Sequence, residues 1–206
     1  MTNPDWDERY GQPSFAYGKE PNEFFKEWVS NFKPGTLLMP ADGEGRNGVF
    51  AASLGWQVTS CDLSIEGKTK ALKLAKEKEV SLEYLVGDFG KLNFQPESFD
   101  AIGLLYAHFS PEKKSDFHKR LSNYLKTGGI VIFEAFSKNH LPYVQANPKV
   151  GGPKNIDMLF SLEELKAYFP SFEVLHLAEE EVQLNEGAYH NGKGSVIRFV
   201  GRKRLQ

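Results

Sequence analysis

The chain has 206 residues, with 25 Lys plus Arg against 27 Asp plus Glu and a formal net charge of −2. That length suits one α/β domain spanning 1–206, and the near balance of charge gives no electrostatic case for nucleic acid or an anionic membrane as partner, so a small molecule is expected instead. A single cysteine, Cys61, excludes an internal disulfide, no apolar run approaches the roughly 20 residues of a membrane helix, and the acidic, aromatic start "MTNPDWDERYGQPSFAYG" is unlike a secretory signal; a cytoplasmic location is the expectation.

In chain order, residues 1–21 are rich in Pro, Gly and aromatics and precede a helix in "PNEFFKEWVSNF", with Asn22 as N-cap and Phe24, Phe25, Trp28, Val29 and Phe32 on one face. "TLLMPA" reads as a short apolar strand that runs into glycines, "NGVFAASLG" as a helix closed by Gly55, "WQVTSCD" as a second strand and "IEGKTKALKLAKEKE" as an amphipathic helix. The alternation goes on through "LEYLVGD", "FDAIGLLYA", a helix from about Pro111 to Leu125 and "GGIVIFEAF", which implies a mostly parallel sheet with helices on both faces. After a helix near "SLEELKAYF", the runs "FEVLHLAEEEVQL" and "GSVIRFVGRK" are separated only by "NEGAYHNGK", the pattern of an antiparallel C-terminal hairpin with a long loop. The stretch 136–160 lacks a clear period, and long ordered loops are commonly functional, so it is expected to shape a ligand site.

Ligands of open α/β sheets bind beyond the C-terminal ends of the strands, which is where "ADGEGRNG" falls. Gly43, Gly45 and Gly48 spell G-x-G-x-x-G, and Asp62 ends the second strand 19 residues after Gly43, in position to accept from a ribose diol. A nicotinamide dinucleotide and S-adenosylmethionine both carry that ribose. Asp88, ending the third strand, favours the second ligand by offering an acceptor for an adenine amino group; its alternative role is a turn cap. A dehydrogenase would also have to build a nicotinamide site and a substrate region from the residues after 136, and too few remain there to do so.

The segments "LLMPADGEGRN", "VTSCDLS", "VGDF", "FDAIGLLYAHF" and "LKTGGIVIFEAF", in this order, resemble the successive motifs of class I S-adenosylmethionine-dependent methyltransferases over nearly the whole chain. "WDERYGQPSFAYGKEPNEFF" is similar to the opening of small members in the tellurite-resistance and thiopurine methyltransferase branches. The resemblance implies a Rossmann-like seven-stranded sheet whose last strand is antiparallel. It also implies roles: Ala41, Gly43 and Gly45 along the methionine part of the cofactor, Asp62 and Leu63 at the ribose, Asp88 and Phe89 at the adenine, and Tyr106 on its inner face. The family often has an acidic residue where Met39 stands, glycine at Ala41 and an uncharged residue at Asp42. Asp42 either replaces the missing tie to the cofactor or caps the turn, and Arg46 with Asn47 either holds the methionine carboxylate or forms a solvated helix end.

Methyl transfer from a sulfonium needs mainly alignment, and aromatic faces tolerate the charge while excluding water. Phe15 and Tyr17 are candidates for a lid, or else close the end of the core; Phe136 and Glu186 are candidates at the acceptor side. His108, after the fourth strand, and His190, in the hairpin loop with Glu186 and Tyr189, are the candidate bases for an acceptor that must lose a proton. His118 and His176 read as plain helix and strand positions, His140 is undecided, and no metal-ligand cluster is seen. The expected function is transfer of a methyl group to a small thiol, chalcogen oxyanion, or oxygen or nitrogen nucleophile, leaving S-adenosylhomocysteine. The alternatives are an NAD(P)-dependent oxidoreductase and a non-catalytic S-adenosylmethionine-binding protein.

Overall fold

A computed structural model describes residues 6–205; the first five residues of the expected lid segment lie outside the described residues. After a short helix α1 (Trp6–Tyr10), the elements are α2 (Glu23–Val29), β1 (Thr36–Pro40), α3 (Arg46–Ser53), β2 (Gln57–Asp62), α4 (Ile65–Glu77), β3 (Glu83–Val86), β4 (Phe99–Leu105), α5 (Pro111–Tyr124), β5 (Leu125–Phe136), α6 (Leu141–Ala146), α7 (Leu162–Tyr168), β6 (Phe172–Glu186) and β7 (His190–Lys203). The seven strands form one sheet in the order β3-β2-β1-β4-β5-β7-β6, with β7 antiparallel to both β5 and β6. This is the Rossmann-like sheet expected from the sequence. The chain leaves the β3 edge and re-enters beside β1 as β4, so the topological switch lies between β1 and β4. No helix among the described residues is long and apolar enough to cross a membrane.

The period of two along β5 sorts the core into layers. Ile130 and Ile132 join Phe25, Val29, Leu37 and Met39 on the side of α2, while Val131, Phe133 and Ala135 join Phe117, Leu121, Leu165 and Phe169 on the side of α5 and α7. Each fully buried side chain of this size contributes about 1.5–3 kcal/mol relative to exposure. The Asn22 side chain caps α2 by accepting from Phe25 N, and Ser161 with Glu164 forms a reciprocal capping box on α7. Met39, where the resemblance leads one to expect an acid, is 1 % exposed and packs over Gly103 beside Phe25; its role is in the core.

Two boundaries differ from the sequence reading. The C-terminal hairpin keeps the two expected strands but extends both into the expected loop: β6 and β7 pair as far as Glu186 opposite His190, leaving only residues 187–189 as the turn. Backbone pairing carried the polar stretch into the sheet, which side-chain pattern alone does not report. The aperiodic stretch 136–160 contains α6 and three single-turn 3₁₀ segments, folded over a third apolar cluster of Phe136, Val144, Val150, Leu159, Leu184 and Val196.

Candidate functional site

The turn after β1 is a web of backbone hydrogen bonds. Gly43 N donates to Asp62 Oδ2 at 3.0 Å, Ser64 N donates to Asp62 Oδ1 at 3.0 Å, and the Tyr84 hydroxyl donates to the Gly43 carbonyl. Asp62 thus ties the end of β2 to the glycine turn and to the start of α4. Burial raises its carboxyl above the ordinary aspartate range, against the pull of those backbone donors. Gly45 caps α3 at φ 80°, and a side chain there would overlap the Ala71 methyl of α4, so the two helices can approach only over glycine. Ala41 has a φ of 54°, which is where the resembling proteins often carry glycine, and its left-handed backbone costs about 1 kcal/mol. Leu63, next to Asp62, is 52 % exposed, and Val86, which pairs with Asp62 across β2 and β3, is 39 % exposed. Both are exposed apolar residues adjacent to Asp62, one along the chain and one across the ladder, and Val86 was not among the sequence candidates.

Several expected cofactor contacts take another role. Asp42 is buried in the turn, accepting from Ser60 Oγ at 2.6 Å and from Gly48 N at 3.4 Å; it caps the turn, and burial pushes its carboxyl up to about 7. Phe89 turns into the core, edge-on to Phe117 and Tyr124. Asp88 accepts from Gly90 N at 2.8 Å and from Lys113 Nζ at 3.0 Å, and these bonds hold its carboxyl below the usual range; the turn-capping role is therefore occupied, on a side chain one-third exposed. Arg46 is not a solvated helix end: its Nη2 pairs with Glu186 Oε2 at 2.9 Å and its Nη1 donates to the Tyr17 and Glu20 carbonyls at 3.3 Å. Asn47 Oδ1 accepts from Asn22 N.

The N-terminal segment lies across this edge. Tyr10 packs its hydroxyl against Gly43, and Asp7 accepts from Ser64 at the start of α4. Ala16 N donates to Glu44 Oε2 at 2.7 Å, while Ala188 N from the β6–β7 turn donates to Ala16 O. Tyr17 lies over His190, ring centroids 4.5 Å apart, with its hydroxyl accepting from Arg9. The two lid candidates therefore separate: Tyr17 reaches the site, whereas Phe15 packs against Val49, Leu74 and Ala75 and closes the end of the core.

Beyond β4, Tyr106 adopts φ 54°, a strained conformation of the kind that gathers at ligand sites, and its hydroxyl is buried near Glu134 without a well-formed hydrogen bond among the described residues. Burial, then the charges of Glu134 and Glu186, raise its pKa well above that of a free phenol. The fully buried Phe136 is a hub, with Tyr106 at 4.8 Å, His140 at 3.9 Å, His190 at 5.3 Å and His108 at 5.8 Å between centroids. His108 is bonded through Nδ1 to the Met158 carbonyl at 3.0 Å, its Nε2 is buried and unpartnered, and burial lowers its pKa to about 4. His190, at the first position of β7, is bonded through Nδ1 to Glu186 Oε2 at 3.0 Å; burial lowers its pKa despite the carboxylate. Sequence reasoning missed Asn22 and Glu134 as site residues. Asn22 Nδ2 bridges Glu134 Oε1 and Glu186 Oε1, and Arg198 Nε completes the row on Glu134 Oε2 at 2.6 Å. A charged residue inside the apolar run "IVIFEAF" was the available signal.

The sheet order, the glycine turn after β1 and the carboxylate that ends β2 lie where the resemblance to class I methyltransferases led one to expect them. Comparison agrees: residues 38–129 match the family described as the methyltransferase domain. That match covers less than half of the chain, which is accordingly similar to S-adenosylmethionine-dependent methyltransferases in this stretch and in its fold. It is 27 % identical over 162 residues to the probable S-adenosyl-L-methionine-dependent methyltransferase TehB of Haemophilus influenzae, covering 77 % of this chain and 52 % of that protein. The chain thus spans about half the length of the curated relatives it matches. The crystal structure of TehB from Haemophilus influenzae superposes with a TM-score of 0.72 at 18 % identity, over 97 % of this chain and 66 % of that one. A protein solved in work on conversion of a disulfide bond into a thioacetal group during echinomycin biosynthesis superposes with a TM-score of 0.75 at 16 % identity, over 97 % and 91 % of the two chains.

Proposed function

We propose that the protein transfers a methyl group from S-adenosylmethionine to a small-molecule acceptor by in-line displacement. The observation that carries this reading is the Asp62 carboxylate at the end of β2, bonded to the glycine turn after β1 and next to the exposed Leu63 and Val86. Its oxygens accept from the Gly43 and Ser64 amides, and the carboxylate retains acceptor capacity that suits the hydroxyls of a ribose. Leu63 and Val86 suit the flat face of an adenine, and Asp88 retains acceptor capacity at the same edge.

The residues present fit the cofactor. Bound there, S-adenosylmethionine supplies a methyl group on a positively charged sulfur, activated toward nucleophiles. Tyr106 and Tyr17 offer aromatic faces that accept such a charge and exclude water. Ala41, Gly43 and Gly45 keep the backbone close to the methionine portion. Arg46 contributes by holding Glu186 and the N-terminal segment together over the site, and Phe136 supports Tyr106 from below. Our reading keeps a cytoplasmic setting and a small partner, in line with the lone buried cysteine and the near-neutral charge.

The test is calorimetric titration with S-adenosylhomocysteine, NAD and NADP on the natural protein and on Asp62→Ala. Micromolar binding of the first alone, weakened about tenfold or more by the substitution, is expected, since each lost hydrogen bond to a charged group is worth about 1.5–3 kcal/mol. Binding of a nicotinamide dinucleotide, or of none of the three, overturns the reading.

A further inference from the structure

One imidazole beside Tyr106 is held as a proton acceptor has to be held. The carboxylate of Glu186 lies 3.0 Å from His190 Nδ1, so that nitrogen carries the ring proton and Nε2 keeps its lone pair. Nε2 makes no hydrogen bond among the described residues. The carboxylate cannot swing away, because Arg46 Nη2 holds the same Oε2 at 2.9 Å and Asn22 Nδ2 holds Oε1 at 3.2 Å. The ring plane is fixed as well: Tyr106 and Phe136 meet it edge-on and Tyr17 lies against it at a tilt. No other histidine has this arrangement. His140 uses both nitrogens, on Gly151 O and Ser195 N; His118 is bonded to Lys114 O and stacked on Tyr168; His108 is oriented only by a neutral carbonyl; and His176 has Glu180 Oε1 4.0 Å from its Nε2, beyond hydrogen-bond distance.

We infer that His190, oriented by Glu186, is the general base of the methyl transfer proposed above, and that the acceptor is one that arrives carrying its proton, a hydroxyl or an amine, in preference to a thiolate or an oxyanion. The inference rests on that reading of the site. In the step, the acceptor's oxygen or nitrogen forms a bond to the methyl carbon as the carbon–sulfur bond breaks with its electron pair going to sulfur. The acceptor's proton passes to His190 Nε2, and water then removes it. The groups facing the imidazole are Glu186 on β6, Arg46 on α3, Glu134 on β5, Tyr106 after β4, Tyr17 in the N-terminal segment, and His108 and His140. With burial outweighing the carboxylates, the ring is neutral at neutral pH, the form that accepts a proton.

Two measurements test this. Nitrogen-15 NMR of the ring, assigned by its loss in His190→Gln, is expected to show a protonated Nδ1 and a bare Nε2, with that preference lost in Glu186→Gln. Release of S-adenosylhomocysteine is then followed with para-substituted phenols, benzylamine, 2-mercaptoethanol and tellurite as probes, on the natural protein and both variants. A phenol or the amine is expected to turn over, with kcat about 10²–10³-fold lower in His190→Gln and KM little changed. The deficit should shrink as the phenol becomes more acidic, and the acid limb of the kcat profile should disappear. Turnover of the thiol or tellurite alone, of none of the probes, or at equal rates in His190→Gln overturns the inference. Calorimetry on the same samples keeps the cases apart: a natural protein that fails to bind S-adenosylhomocysteine defeats the methyl-transfer reading itself, and unchanged affinity in the variants shows that they are folded.

Discussion

Around the Gly43 turn the hydrogen bonds run mostly to backbone: Asp62 accepts from the Gly43 and Ser64 amides, Tyr84 donates to a carbonyl, and Asp42 takes the amide of Gly48 besides the Ser60 hydroxyl. On the far side of Tyr106 they run between side chains, from Arg198 through Glu134, Asn22 and Glu186 to Arg46 and His190. The first region is assembled within one stretch of chain, from residue 41 to residue 88. The second joins α2, α3, β5, β6 and β7, and Asn22 meets Glu186 across 164 positions. A backbone-built region tolerates side-chain change but not added volume, whereas a side-chain network tolerates volume but not the loss of one charge. The two should fail in different ways.

The largest effect is expected from Gly45→Val, which combines a left-handed backbone with overlap on Ala71: about 4 kcal/mol lost in urea unfolding, together with cofactor binding. A merely local loss of binding with unchanged stability would show that α3 and α4 yield easily.

The two regions should next separate by pH. Asp42, raised to about 7 by burial, favours the folded state in its protonated form, so its contribution is full below the unfolded aspartate value near 4 and is lost as pH rises toward 7. Glu186 is also desolvated, yet His190 and Arg46 together hold it down to about 2; its contribution is present above the unfolded glutamate value and is lost as pH falls toward 2. Asp42→Asn should flatten the stability profile between about pH 4 and 7, by about 4 kcal/mol across that window, and Glu186→Gln the profile between about pH 2 and 5, by about 3 kcal/mol. Equal profiles for the two variants would erase the distinction.

Arg198→Met removes one partner of Glu134, a carboxylate only 1 % exposed. The expected cost is about 2 kcal/mol, below the range for a wholly buried pair because Arg198 is itself partly exposed. The smallest effect is expected from Ala41→Gly, which releases the left-handed strain but loosens the unfolded chain, for a net gain of about 0.5 kcal/mol by thermal unfolding.

The same division explains how much was legible along the chain. Period and punctuation were enough for the alternating elements, for Asn22 as the cap of α2, and for Asp62 in register with the glycines, because each of these is decided by neighbours along the chain. Asp42 and Phe89 looked like ligand contacts because the motif reports their position at the strand end but not the rotamer that turns them inward. His190 and Glu186 were singled out within a supposed loop, while the structure pairs them across a ladder.

By itself, then, the sequence determined the order of strands and helices, the turn at Gly43 and the acid at its side, since apolar period, glycine geometry and strand ends are local physics. Only the tertiary structure decided that Arg46 would hold Glu186, that Asn22 would bridge two carboxylates, and that His190 would receive a carboxylate within hydrogen-bond distance of its Nδ1. Those contacts join residues far apart in the chain, and a buried charge declares its partner only when the strands that carry the two are brought side by side.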